Sequence, residues 1–231
     1  MLRKIEIVVT DIDFTLTDAN LRLDTKAVEK IRRLEALGVK VILVSGRSLP
    51  ATAALAQLIG TCGLIAAENG GVIAKYEKPI KILGRVEKAH AALRILRRRM
   101  GRKVVERPES GYGMRLSSVT LERFFEPEEA RRMLRNSRVN IQLIDTGVTF
   151  QLSDRRVNKG DALVWLARLE KLPLTRTMAV GDNYNDLSLF EEAAYTIAVA
   201  NAPREVKERA DYTCKKAYGE GFLEAIAHVG L

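Results

Sequence analysis

Ile5-Glu6-Ile7-Val8-Val9-Thr10-Asp11-Ile12-Asp13-Phe14-Thr15-Leu16-Thr17 is the stretch whose reading decides the fold. Its apolar run has the length and composition of a buried strand. The run ends in two carboxylates, Asp11 and Asp13, two residues apart. That places both acids at the carboxyl end of a strand, where open α/β sheets bind ligands. Neighbouring carboxylates repel, so the pair calls for a cation, a shared proton or water. One acid of such a pair can attack an electrophile or bind a metal while the other moves a proton.

Outward from this stretch, strands and helices alternate. Asp24 or Thr25 caps a helix carrying Val28, Ile31 and Leu34, which Gly38 ends. Val39–Val44 reads as a second strand, ending in Ser45-Gly46-Arg47. Ser48 and Pro50 open a second helix, Gly60 closes it, and Gly63–Ala67 is a third strand ending in Glu68-Asn69. This order predicts a parallel sheet with right-handed crossovers.

Between about Lys81 and Ser153 the order changes. A helix over Arg85–Met100 is followed by short strands at Val104-Val105 and Met114-Arg115-Leu116, then by a helix opened by Glu126 and Pro127. Asn140–Ile144 and Val148–Leu152 alternate in polarity around Asp145-Thr146-Gly147, a hairpin signature. The segment reads as an inserted α+β module. After it the βα alternation returns: a helix over Lys159–Lys171, a strand Thr177–Val180, a short helix Leu187–Ala193, a strand Thr196–Val199, and surface helices over Pro203–Ala210 and Gly221–Val229.

The fold class is therefore α/β, a Rossmann-like parallel-sheet core domain built from residues 1–80 and 154–231, with an inserted α/β cap at 81–153. Three predicted strands end in polar clusters, at Asp11/Asp13, Ser45 and Asp182/Asp186, and a parallel sheet points all three ends the same way. Four carboxylates on one edge form a hard oxygen site suited to Mg2+. Ser45 can donate to a phosphate oxygen, and Lys159 supplies a positive charge.

Composition excludes several classes. At 231 residues, 47% hydrophobic and 29% charged, the chain has material for a large core. It has no run near the roughly 18 apolar residues of a membrane span. Its start lacks the pattern of a signal peptide, which points to the cytoplasm. Cys62 and Cys214 match no metal spacing and read as reduced thiols. The net charge of +9 favours anionic partners. The basic clusters at Arg94–Lys103 and Arg131–Arg138 lack interleaved aromatics, so they read as solvated helix faces rather than a nucleic-acid surface.

The ordered set resembles the haloacid dehalogenase superfamily phosphatases over nearly the whole chain. Asp11-Ile12-Asp13-Phe14-Thr15 resembles that superfamily's first motif, Val44-Ser45-Gly46-Arg47 the second, Asn158-Lys159-Gly160 the third and Gly181–Asp186 the fourth. Size and cap look most like the archaeal phosphoglycolate phosphatases. The resemblance implies Asp11 as nucleophile and Asp13 as general acid and base. It implies Ser45 and Lys159 as phosphoryl-binding residues. It also implies Mg2+ on the Asp11 carboxylate, the Asp13 carbonyl, Asp182, and Asp186 directly or through water. Asn185 reads as a helix cap or a support for Asp186, and Arg47 as a substrate contact or a salt-bridge partner. The loop Ser110-Gly111-Tyr112-Gly113 and the turn at Asp145-Thr146-Gly147 are the candidates to cover the cleft.

One residue departs from the resemblance: Phe14 stands where this subclass usually has Gly, so it either packs aside or meets the cap. The expected partner is a small phosphorylated metabolite, with no membrane, no nucleic acid, and a homodimer left open. A sugar-phosphate phosphatase is the alternative enzyme, and a basic phospho-ligand or RNA-binding protein the non-enzyme alternative.

Overall fold

Both faces of β1 (Ile7–Thr10) are covered, which is why its sequence is apolar without alternation. In the computed structural model, which describes residues 4–107 and 115–231, this strand lies inside an eight-stranded sheet. In chain order there follow α1 (Thr25–Ala36), β2 (Lys40–Val44), α2 (Leu49–Ile59), β3 (Leu64–Ala67), β4 (Val72–Lys75) and β5 (Lys78–Ile82). The middle of the chain supplies α3 (Val86–Met100), β6 (Ser118–Leu121), α4 (Pro127–Arg135), β7 (Ile141–Asp145) and β8 (Phe150–Asp154). The last part supplies α5 (Lys159–Glu170), β9 (Thr177–Gly181), α6 (Leu187–Glu192), β10 (Tyr195–Ala198), α7 (Arg204–Lys207), β11 (Tyr212–Thr213) and α8 (Tyr218–His228).

The large sheet has the order β11-β10-β9-β1-β2-β3-β4-β5, parallel from β11 to β3. The chain winds from β1 through β2 to β3 in one direction, and from β9 through β10 to β11 in the other. The β1/β9 boundary is thus a topological switch point, where the loops leaving the strands diverge and open a crevice. Thr10 pairs with Leu43 on one side and Val180 on the other, so the residues after β1, β2 and β9 emerge level with one another.

Val8, Val41, Leu43 and Ile65 pack against Ile31 and Leu34 of α1, Ala53 and Ala56 of α2, and Phe222 and Ile226 of α8. Ile7, Val9, Ile42 and Val44 face the other way, onto Leu163 and Leu166 of α5 and Phe190 of α6. Asp24 is the cap of α1, accepting from the Lys26 and Ala27 amides. Gly60 closes α2 in the left-handed conformation.

The second sheet, β6-β8-β7, is antiparallel. Val119, Leu121, Ile141, Leu143, Phe150 and Leu152 bury one of its faces under α3 and α4. The alternate residues, among them Ser118, Gln142, Ile144 and Gln151, lie on the opposite face by the two-residue period of a strand. The molecule is an α/β protein with a Rossmann-like core and an α+β cap. Cys62 and Cys214 are both free thiols; burial pushes the first up to about 11 and the second to about 12.

Some elements differ from the sequence reading. Arg115 and Leu116 lie outside any strand, and Met114 falls outside the described residues; the strand is Ser118–Leu121. The Leu116 and Ser117 amides donate to the Glu68 carboxylate, which replaces the ladder partners that a strand would supply. Val104 joins the cap core, and the local pairing is one residue on, between Glu106 and Leu121. The hairpin β4–β5, which ends the large sheet, was not anticipated. The helix expected over Pro203–Ala210 is the single turn α7, in which only Val206 is buried. The last helix begins at Tyr218 rather than Gly221.

One ion pair ties the cap together. Lys88 of α3 donates to the buried Asp154 at the end of β8, at 2.6 Å. Burial alone would raise the Asp154 carboxyl, but Lys88 and Arg156 outweigh it and hold the group below its ordinary value. A carboxyl lowered by folding stabilises the native state at neutral pH, and that contribution fades as pH falls through the acid range. Lys88→Met should therefore cost about 1–3 kcal/mol at pH 7, and less below pH ~4, in denaturant unfolding.

Candidate active site

Four loops at the carboxyl edge of the large sheet supply the polar groups. Asp11 leaves β1 with its amide still donating to Val180, and is 6% exposed. The chain then turns tightly: the Leu16 and Thr17 amides donate to the Ile12 carbonyl, and the Phe14 amide donates to Thr17 Oγ1. Ile12 and Leu16 are fully buried in the core and anchor the turn from below. Phe14 sits at φ 62°, the left-handed region. A side chain there costs about 1–2 kcal/mol, which explains why glycine suits this place in the resembling subclass.

Asp13 is paired with Arg47, whose Nη2 donates to Oδ1 at 2.6 Å and whose Nε lies 3.1 Å from both oxygens. Of the two roles read for Arg47, the geometry displays the salt bridge. Ser45 is fully buried beyond β2; its amide donates to Ala66 and its Oγ accepts from the Arg47 amide at 3.2 Å.

Lys159, the first residue of α5, is fully buried. Its Nζ lies 3.0 Å from Asp11 Oδ1 and 2.6 Å from Asp186 Oδ1. Asp182, 6% exposed, accepts from Thr15 Oγ1 at 2.9 Å. Asp186 accepts through its other oxygen from the Asp182 and Asn183 amides, both at 3.0 Å. That fold-back is why residue 181 is glycine: a Cβ there would stand 2.6 Å from the Asp186 carboxylate.

Ligand atoms of Asp11, Asp182 and Asp186 all lie within 4.8 Å of one another. Three buried carboxylates face one ammonium, which leaves an excess of negative charge. The excess appears as raised acidities. Burial first, and then Asp186 and Asp13, push Asp11 up to about 7 despite the opposing Lys159. Burial, with Asp11 and Asp186, raises Asp182 well above the ordinary carboxylate range. Burial disfavours the Lys159 ammonium, but Asp11 and Asp186 overcome it and hold its proton more tightly than usual. A divalent cation fits this donor set, because its charge would relieve the repulsion between hard oxygen ligands.

The structure thus brings Asp11, Asp13, Ser45, Lys159, Asp182 and Asp186 to one edge. It adds residues that the sequence reading left outside. Glu68 is fully buried and accepts from the Leu116 and Ser117 amides and the Ser117 and Ser118 hydroxyls, so it fastens the cap linker to β3. Asn69 Nδ2 donates to Gln151 of β8, and its Oδ1 accepts from Asn185 Nδ2. Asn185 therefore reaches across to Asn69, and Asn183 is the residue that caps the turn at Asp186. Polar residues at the end of an apolar strand were the available signal for Glu68 and Asn69.

The turn at Asp145-Thr146-Gly147 reaches the loops that follow β1, β2 and β9, and the loop Ser110-Gly111-Tyr112-Gly113 lies outside the described residues. Between cap and core lies a cavity of about 470 Å³, lined among others by Asn69, Arg131, Gln142, Ile144, Asn158 and Lys159. Among the described residues, no helix is long and apolar enough to cross a membrane.

Known proteins are similar to this chain. The model of a haloacid dehalogenase-like hydrolase family matches residues 8–106 and 122–226. A phosphoglycolate phosphatase of Methanoculleus marisnigri is 37% identical over 219 residues, 94% of either chain. One of Methanothermobacter thermautotrophicus is 36% identical over 95% of this chain and 96% of its own. A crystal structure of a Thermoplasma acidophilum protein superposes with a TM-score of 0.87 at 25% identity, covering 98% of this chain and 99% of that one. The chain belongs to the haloacid dehalogenase-like hydrolases and is a phosphoric monoester hydrolase.

Proposed function

We propose that this hydrolase is a Mg2+-dependent phosphatase of small cytoplasmic metabolites, and that its substrate is 2-phosphoglycolate, cleaved to glycolate and phosphate. The observation that carries the reading is the buried Lys159 bound to Asp11 amid an excess of carboxylates. It is a site that holds one nucleophile in place and attracts a cation and a phosphoryl group.

Asp11 attacks phosphorus in line, and the bond to the leaving alkoxide breaks as the aspartyl-phosphate forms. Asp13 gives its proton to that alkoxide. It then takes a proton from the water that hydrolyses the aspartyl-phosphate and releases phosphate. Arg47 orients the Asp13 carboxylate for the second step, in which that carboxylate is the base. Ser45 and Lys159 hold the phosphoryl oxygens, and Lys159 braces Asp11 between turnovers. The Asp11 and Asp182 carboxylates and the Asp13 carbonyl would hold Mg2+, which would supply the charge neutralisation that lets an anion attack an anion. Asp186, whose oxygens also meet Lys159 and two amides, would complete that set directly or through water.

Arg131 supports the choice of substrate. It lines the same cavity as Lys159, though its Nη1 also meets Glu128 and its Nε donates to the Leu143 carbonyl. Two cations on one small cavity suit a molecule with an anion at each end. The test is phosphate release from a panel of esters, with Mg2+ and with EDTA. Release that needs Mg2+ and is greatest with 2-phosphoglycolate is expected. A preference for sugar phosphates would keep the chemistry and replace the substrate. Arg131→Ala should raise KM for 2-phosphoglycolate about tenfold, as expected for loss of one charge-assisted contact, with little effect on p-nitrophenyl phosphate.

A further inference from the structure

We infer that Phe14 is a size gate: it sets the clearance between the cap turn and the catalytic carboxylates, and so confines the site to short leaving groups. The inference rests on the phosphatase reading above and names the residue that selects within it.

The cap turn is placed among three catalytic loops. A Cβ on Gly147 would lie 3.2 Å from Phe14 Cε2 and 3.7 Å from Asn183 Nδ2. A Cβ on Gly46 would lie 3.3 Å from Thr146 Cγ2. The tip of the turn therefore stands over the loops that follow β1, β2 and β9.

The turn is stiff. Asp145 Oδ1 accepts from the Gly147 amide at 2.9 Å, an Asx-type closure. Arg123 donates to Asp145 Oδ2 at 2.8 Å and to the Gly147 carbonyl at 3.0 Å. Thr146 and Thr149 exchange bonds across the turn. A tip held by so many partners does not yield locally to a bulky substrate.

Phe14 is fixed from the other side. Its amide is held by Thr17 Oγ1 and its carbonyl by Asn201 Nδ2, so the ring cannot retreat by moving its backbone. A left-handed backbone that carries a large side chain is retained only where its surroundings over-determine it. Here they hold the ring of the residue between Asp13 and Thr15 against the lid. A two-carbon leaving group needs little clearance beneath the turn that the ring props. A hexose needs more.

The experiment compares kcat/KM for 2-phosphoglycolate and glucose 6-phosphate in the parent, Phe14→Leu and Phe14→Gly. The ratio of hexose to two-carbon ester should rise at least about tenfold in Phe14→Gly and less in Phe14→Leu, since one misfitting group in a pocket is worth about this much. An unchanged ratio in a parent that prefers 2-phosphoglycolate overturns the gate and leaves the substrate reading standing. A parent that prefers glucose 6-phosphate overturns both. A cycle of melting temperatures reads the contact without turnover. Gly147→Ala should destabilise the parent more than it destabilises Phe14→Gly, because backbone strain at residue 147 is common to both backgrounds and cancels. Additive shifts would remove the contact and the gate with it.

Discussion

Asp11→Asn is expected to abolish phosphate release, by at least about 10⁴-fold, and at pH 8 without metal to melt above the parent. The first effect follows because an amide cannot act as the nucleophile. The second follows from the site's charge. Burial and the neighbouring Asp186 and Asp13 raise the Asp11 carboxyl from an ordinary 3.8 to about 7 in the folded chain. An acid raised by folding binds more protons in the native state, so stability falls as pH rises through that interval. At pH 8 the full penalty is present, on the order of a few kcal/mol by the conversion of a pKa shift into free energy. The neutral amide removes it. Thermal scans of parent and variant from pH 4 to pH 8 in EDTA should converge at the acid end and diverge at the alkaline end. An Asp11→Asn protein that melts below the parent at pH 8 would refute the charge argument, and one that turns over would refute the nucleophile.

Lys159→Met is also expected to lose activity, by about 10³-fold or more, through loss of a preorganised charge at the phosphoryl oxygens. Its effect on stability has the opposite sign. Lys159 is fully buried and bonded to Asp11 and Asp186, and among the described residues it is the cation paired with both carboxylates. Removing one member of a buried ion pair leaves uncompensated charge and costs about 3–5 kcal/mol. The variant should unfold at lower denaturant than the parent in EDTA, and Mg2+ should restore part of the difference. Adding Asp186→Asn to Lys159→Met should recover stability and leave activity lost. If Lys159→Met were as stable as the parent without metal, the reading of the cluster as over-charged would fail. Both variants should lose activity while moving stability in opposite directions, which no general loss of folding would produce.

Much of this site was legible before any coordinates. Asp11 and Asp13, Ser45, Lys159 and Asp182/Asp186 all follow directly on apolar runs or open helices, and such positions are local features of the chain. Other parts were not legible. Leu116 looked like strand because it is apolar and follows Met114 and Arg115, yet its amide is taken by Glu68, 48 residues away. β4 and β5 are short, and the alternation in Lys78–Ile82 has no visible partner until the chain folds back beside β4. Asn69 looked like a loop residue until Gln151 and Asn185 came to either side of it.

The order of apolar runs, glycines and capping residues by itself determined the alternating sheet, the inserted cap and the edge on which the acids gather, because each of these depends on neighbours within a few residues. Only the tertiary structure decided which charge meets which, Arg47 with Asp13 and Lys159 between Asp11 and Asp186, and that Phe14 stands against Gly147. Those pairings join segments from 27 to 148 residues apart, and their energies depend on distance and burial, neither of which exists until the sheet has closed and excluded water.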